Sequence, residues 1–110
     1  MQDLVKICLE LCNTYEDHPF GDDNSVIKHN GSRKMFALIM NLRGQPCINL
    51  KLEPMEGDFL RGQFESISPG YHMNKMHWNT VYLNGDVPLE LLRGLIKKSY
   101  DLTKSKRQKK

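Results

Sequence analysis

Three short runs of strand type stand in line in this chain, each separated from the next by a turn signal. "SVIKH" is followed by "NGS", then "KMFALIMN", then "RGQP" and "CINLKL". Asn30-Gly31 is the strongest short hairpin signal a sequence carries, because both residues accept a positive φ. In the third run Ile48, Leu50 and Leu52 alternate with polar residues, the period of a strand with one buried face. The expectation is a three-stranded antiparallel meander, and the rest of the chain has to pack on it.

Leu4, Cys8, Leu11 and Tyr15 recur at helical spacing, with Val5, Ile7 and Cys12 broadening the stripe, so residues 3–15 are expected to form an amphipathic helix capped by Asp3. "EDHPFGDDN" breaks it at Pro19 and Gly21. After the meander, Pro54 opens "PMEGDFLRGQF", helical in its apolar spacing although Gly57 and Gly62 weaken it. "HWNTVYL" reads as a further strand, with Trp78, Thr80 and Tyr82 on one face and Asn79, Val81 and Leu83 on the other. Asp86 then caps a last helix, Pro88 fits its first turn, and Leu91, Leu92, Leu95, Ile96 and Tyr100 form its buried stripe. The expected order is α-β-β-β-α-β-α in one α+β domain over residues 1–103, followed by an unstructured basic tail over residues 104–110.

Composition sets the class. With 110 residues, 39% of them hydrophobic and 26% charged, the chain suits one modest core. It has no run apolar enough to cross a bilayer. "MQDLVKICLELC" lacks the basic start and cleavage site of a signal peptide, so a cytoplasmic location is expected. Cys8, Cys12 and Cys47 form no disulfide framework, in keeping with a reducing compartment. Cys8 and Cys12, four apart, could share a helical face and hold a metal, but small buried thiols are the commoner use.

The net charge of +3 is unevenly placed. Residues 104–110 carry five basic side chains, and without them 11 basic residues face 13 acidic ones. Residues 24–52 hold Lys28, Arg33, Lys34, Arg43 and Lys51 and no acid, and residues 66–85 hold Lys75, His72 and His77 and no acid. One surface is therefore expected to be basic on a nearly neutral molecule.

The segments "HPFGDD", "KMFAL", "SPGYHMNKMHWNTV" and "DVPLELLRGLIKKSYDL", in that order, resemble the bacterial MmcQ/YjbR-like proteins over nearly all of residues 1–103. The resemblance implies a small α+β fold, an antiparallel sheet packed with helices, likened to the double-wing arrangement of DNA-binding domains and to secretion chaperones and frataxin-like proteins. It also implies DNA binding, through that likeness of fold, and supplies no catalytic residues.

Three classes of function compete. For DNA, Lys28, Arg33, Lys34, Arg43 and Lys75 would contact phosphates, with His77 and Asn79 reaching bases or backbone and Tyr71 or Trp78 stacking on an unpaired base. The plain alternative is that exposed turns favour Lys and Arg, and that the lone Trp belongs to the core. A protein- or peptide-binding module, chaperone-like, would use an edge strand or the adaptable Met73 and Met76. A metal centre or an enzyme would need His72 and His77 to converge with a third group, or Tyr71 and His72 to pair with Glu65. Asp22 and Asp23 read as turn residues before cation ligands. The expectation is a non-enzymatic DNA-binding domain without cofactor, membrane anchor or metal, and with a protein partner as the alternative.

Overall fold

The computed structural model describes residues 2–19, 21, 23–70 and 73–104. Its elements are α1 (Gln2–Leu9), β1 (Thr14–Asp17), β2 (Ser25–His29), β3 (Met35–Leu42), β4 (Gln45–Lys51), α2 (Pro54–Gln63), β5 (Ile67–Pro69), β6 (Trp78–Tyr82) and α3 (Leu89–Thr103). The six strands form one antiparallel sheet in the order β1-β2-β3-β4-β6-β5. The expected α+β class holds, but the order has two more strands than the sequence suggested.

The first addition comes from the expected 3–15 helix, which begins at Gln2 and ends at Leu9. Asp3 therefore stands in its first turn and is not the cap. Asn13 takes a left-handed φ of 59°, Thr14 Oγ1 donates to the Leu11 carbonyl, and Tyr100 Oη donates to the Cys12 carbonyl. These bonds satisfy carbonyls freed at the helix end and turn the chain so that Thr14–Asp17 pairs with β2. The second addition, β5, is only three residues long and pairs with β6 at the sheet edge.

Both turns of the meander exist, with their chemistry exchanged. The two-residue turn with both central φ positive is Arg43-Gly44, at 55° and 82°, between the paired Leu42 and Gln45. At the Asn30-Gly31 turn only Gly31 and Arg33 have positive φ. His29 N–H donates to the Lys34 carbonyl and Arg33 N–H to the His29 carbonyl, enclosing a four-residue loop. A bulge follows, where Ile27 pairs with Ala37 but Lys28 pairs with Met35. The extra residue is Phe36, which joins Ala37 in the core.

The core lies between one sheet face and the helices. Ile27, Ala37, Ile39, Ile48, Leu50, Val81 and Ile67 come from the strands, Leu92, Leu95, Ile96 and Tyr100 from α3, Leu4 and Cys8 from α1, and Leu60 from α2. Each Ile, Leu or Val side chain among them contributes roughly 1.5–3 kcal/mol on burial. Of the stripe expected on α3, Leu91 is only half-buried, while Ser99 and Thr103 are buried. Ser99 Oγ donates to the Phe36 carbonyl and accepts the Lys51 N–H, tying α3 to two strands.

Asp86 does not cap α3, whose N-terminal flanking residue is Pro88 with no side-chain cap. Its carboxylate instead accepts the N–H groups of Glu65 and Ser66, and its own N–H donates to Ser66 Oγ. Hydrogen bonding with Ser66 holds the Asp86 carboxyl below its ordinary pKa. Gly85 is required here, because a Cβ would fall on the Ser66 side chain.

Candidate nucleic-acid interface

Strand direction decides which of the expected cations can act together. The β2–β3 loop bearing Arg33 and Lys34 lies at one end of the sheet. The same end holds the start of β6, where Lys75 and His77 precede the strand, and the end of β4 with Lys51. Arg43 lies at the other end of β3, about 24 Å away for a strand rising about 3.4 Å per residue. The structure thus groups Lys28, Arg33, Lys34, Lys75 and His77 at one end and separates Arg43 from them.

Arg33, Lys34 and Lys75 are exposed. Lys28 is not free: its ammonium lies 2.9 Å from Asp17, a pairing that raises the Lys28 pKa and, through the same hydrogen bond, lowers that of Asp17. Beside this pair is a shallow concavity of about 530 Å³ lined by Tyr15, Asp17, Lys28, Asn30, Gly31 and Arg33.

A cation missed at this end is Lys104, which follows α3 and which the sequence suggested only as tail. Its ammonium stands 5.2 Å from the centre of the Tyr100 ring. His29 lies between Lys104 and the β2–β3 loop, buried against Phe36 and Tyr100, with Nε2 2.7 Å from Thr103 Oγ1. Thr103 Oγ1 also donates to the Ser99 carbonyl at 2.8 Å. Burial holds the His29 pKa below 6.5, and the nearby charges of Lys104 and Lys34 push it the same way. Two cations 70 positions apart in sequence are therefore close enough to act on one imidazole.

The "NKMHWN" segment divides between turn, sheet and core. Asn74 organises the turn: its carbonyl accepts the Trp78 N–H and its side chain accepts the Met76 N–H, which leaves Lys75 and Met76 at the exposed tip. His77 is half-buried and its carbonyl accepts the Leu52 N–H. Asn79, expected to reach a nucleic acid, is corrected to a core residue: it is fully buried, with its side-chain carbonyl bonded to Arg61 of α2. Trp78, expected in the core, is half-buried and faces away from it. Tyr71, His72, Phe20, Asp22 and the tail from residue 105 lie outside the described residues.

The other expectations find these places. Cys8 is buried and its thiol is pushed up to about 12 by burial, whereas Cys12 lies beyond the end of α1 and is exposed. The two share no helical face. Among the described residues no group of three His, Cys, Asp or Glu side chains is placed to hold a metal ion. No helix among them is long and apolar enough to cross a membrane.

A single antiparallel sheet with the helices of the described residues on one face puts the chain in the α+β class. Within that class the chain belongs to the YjbR family, whose model matches residues 9–102. It is 44% identical to the uncharacterized protein YbdF of Escherichia coli O157:H7, over 86% of this chain and 71% of that one. It is 32% identical to the uncharacterized protein YyaQ of Bacillus subtilis, over 94% and 97% of the two chains. The fold is similar to that of the Deinococcus radiodurans protein DR2400, a DUF419 domain, with a TM-score of 0.86 at 41% identity over 96% of this chain and 79% of that one. A crystal structure of a Pseudomonas syringae protein is similar as well, with a TM-score of 0.85 at 32% identity over 94% and 97%.

Proposed function

We propose that this chain is a cytoplasmic, non-enzymatic DNA-binding module that grips phosphates with Arg33, Lys34 and Lys104 at the β2–β3 end of its sheet. The observation carrying this reading is the bonded path that brings Lys104 to the β2–β3 loop: Thr103 Oγ1 lies 2.7 Å from His29 Nε2, and the His29 N–H donates to the Lys34 carbonyl, with Arg33 and Lys28 lining one concavity nearby. The chain continues from Lys104 into four further basic residues, so the basic run departs from the same end. Lys75 and Lys51 extend the site along that end. Arg43, at the far end of β3, stands outside it.

The test is Arg33→Ala, Lys34→Ala and Lys104→Ala combined, titrated against labelled DNA at several salt concentrations. Loss of three phosphate contacts lowers affinity and flattens the log–log salt slope by about 2 on a single strand or about 3 on a duplex. An unchanged slope would remove the site. Binding of a protein partner is the second reading, favoured by Met55 and Phe59, which are 86% and 63% exposed one turn apart on α2. Addition of a peptide strand is less suited to this fold, because both edge strands are short: β1 has four residues, and β5 has three and ends in Pro69.

A further inference from the structure

The parity of β6 places its side chains on two different surfaces. Val81 belongs to the core beneath the helices, and Asn79 meets Gly57 and Arg61 of α2. Trp78, Thr80 and Tyr82 therefore point to the opposite face. Directly across from them on β4 are Lys51, Asn49 and Cys47, and across from Asn49 on β3 is Leu38. The helices belong to the other side: Leu4 and Cys8 of α1, Leu60 of α2 and Leu92, Leu95 and Ile96 of α3 all join the core cluster, which includes neither Leu38 nor Cys47. Among the described residues this second face has no helix on it.

Its centre is polar and fixed. Thr80 Oγ1 donates to Asn49 Oδ1 at 2.5 Å, and Asn49 Nδ2 donates to the Leu38 carbonyl at 3.3 Å. Both side chains are fully buried, and Cys47 and Leu38 beside them are buried too, so neighbouring groups wall in the centre of this face. Two of those walls are the half-buried rings of Trp78 and Tyr82, two positions either side of Thr80 on one strand. Lys51 stands beside Trp78 at the end of the sheet that also carries Arg33 and Lys34.

We infer that this helix-free face binds a single-stranded nucleic acid, its unpaired bases stacked on Trp78 and Tyr82 and its phosphates held by Lys51 and the cations of the β2–β3 end. The inference rests on the nucleic-acid reading above and names the form of the ligand. Stacking needs an exposed base face, which an unpaired strand offers and a duplex does not. Size points the same way: six strands about 4.8 Å apart make a surface about 24 Å wide, which does not enter a major groove about 12 Å across. A flexible single strand can lie on such a surface, and ring stacking tolerates any sequence.

Trp78 is the chain's one tryptophan, so its emission reports this face directly. The full chain is titrated with end-labelled oligothymidine and, separately, with a duplex of equal length, following anisotropy and tryptophan emission together. Quenching of Trp78 in step with single-strand binding, with the duplex bound more weakly, is expected. Trp78→Phe should keep most of the affinity, and Trp78→Leu and Tyr82→Leu should each lose about tenfold to a hundredfold, with urea midpoints confirming that each variant is folded. Should Trp78→Leu fail to fold, quenching in the unaltered chain and the affinity of Trp78→Phe decide the matter. Combined replacement of Arg33, Lys34 and Lys104 should weaken binding yet leave the quenching at saturation intact. Saturable binding without any change in Trp78 emission, or a duplex held as tightly as the single strand, would overturn this inference and leave the cationic site standing. Binding of neither would overturn both.

Discussion

Asn79→Ala separates the two roles open to the "HWN" segment. Asn79 lies on the core face of β6, its carbonyl accepting from Arg61 of α2 and its amide donating to the His77 carbonyl at 3.3 Å. The helix reaches it because residue 57 is glycine: a Cβ there would stand 3.1 Å from both terminal atoms of the Asn79 side chain. Truncation removes the acceptor of a charge-assisted hydrogen bond, an interaction worth about 1.5–3 kcal/mol. Arg61 keeps 20% of its side chain in solvent and has Asp58 at 3.8 Å, so its unpaired guanidinium is only partly stranded and the lower half of that range applies. A loss of about 2 kcal/mol lowers the melting temperature of a domain this size by roughly 8–16 °C. Urea unfolding measures the stability, and DNA titration of the folded variant should give the affinity of the unaltered chain. A variant within about 0.5 kcal/mol of the original would refute the packing argument. So would a variant of unchanged stability that binds DNA tenfold less tightly, because it would return Asn79 to the surface.

Two further outcomes follow from the α3 contacts. His29 has its pKa depressed in the folded state, so the unfolded chain takes up its proton first as pH falls. Its contribution is complete above pH 6.5 and is lost progressively below it, down to the depressed folded value; urea unfolding at pH 7.5 and pH 5 should show a fall in stability that is smaller in His29→Gln. Ser99→Ala should cost about 2–3 kcal/mol by urea unfolding, because it strands the Phe36 carbonyl and the Lys51 N–H in the core together, and a loss below about 1 kcal/mol would show that α3 re-pairs them.

What the sequence discloses here is alternation, and what it withholds is which side of an alternating strand meets the helices. In β6 the two sets, Trp78 with Thr80 and Asn79 with Val81, are legible by period alone. Ranking them by apolarity puts the tryptophan in the core and the amide outside, and the fold does the reverse. The reason lies at Gly57, 22 positions earlier, where a missing side chain lets α2 settle over Asn79 and supply Arg61 to its carbonyl. Residue Tyr15 is ambiguous in the same way: four positions from Leu11 suits a helix, yet the left-handed Asn13 and the bond from Tyr100 to Cys12 make it part of a strand. The meander itself was legible because Ile48 and Leu50 follow a strict period in a strand flanked by turns. The cationic site was legible only in half, since Lys34 is local to a visible hairpin while Lys104 reaches it through Thr103 and His29. A contact of that kind depends on where a 15-residue helix ends over the sheet, which no local pattern encodes. The same holds for the helix-free face, whose rings, lysine and amide come from two strands made neighbours only by the β4–β6 pairing.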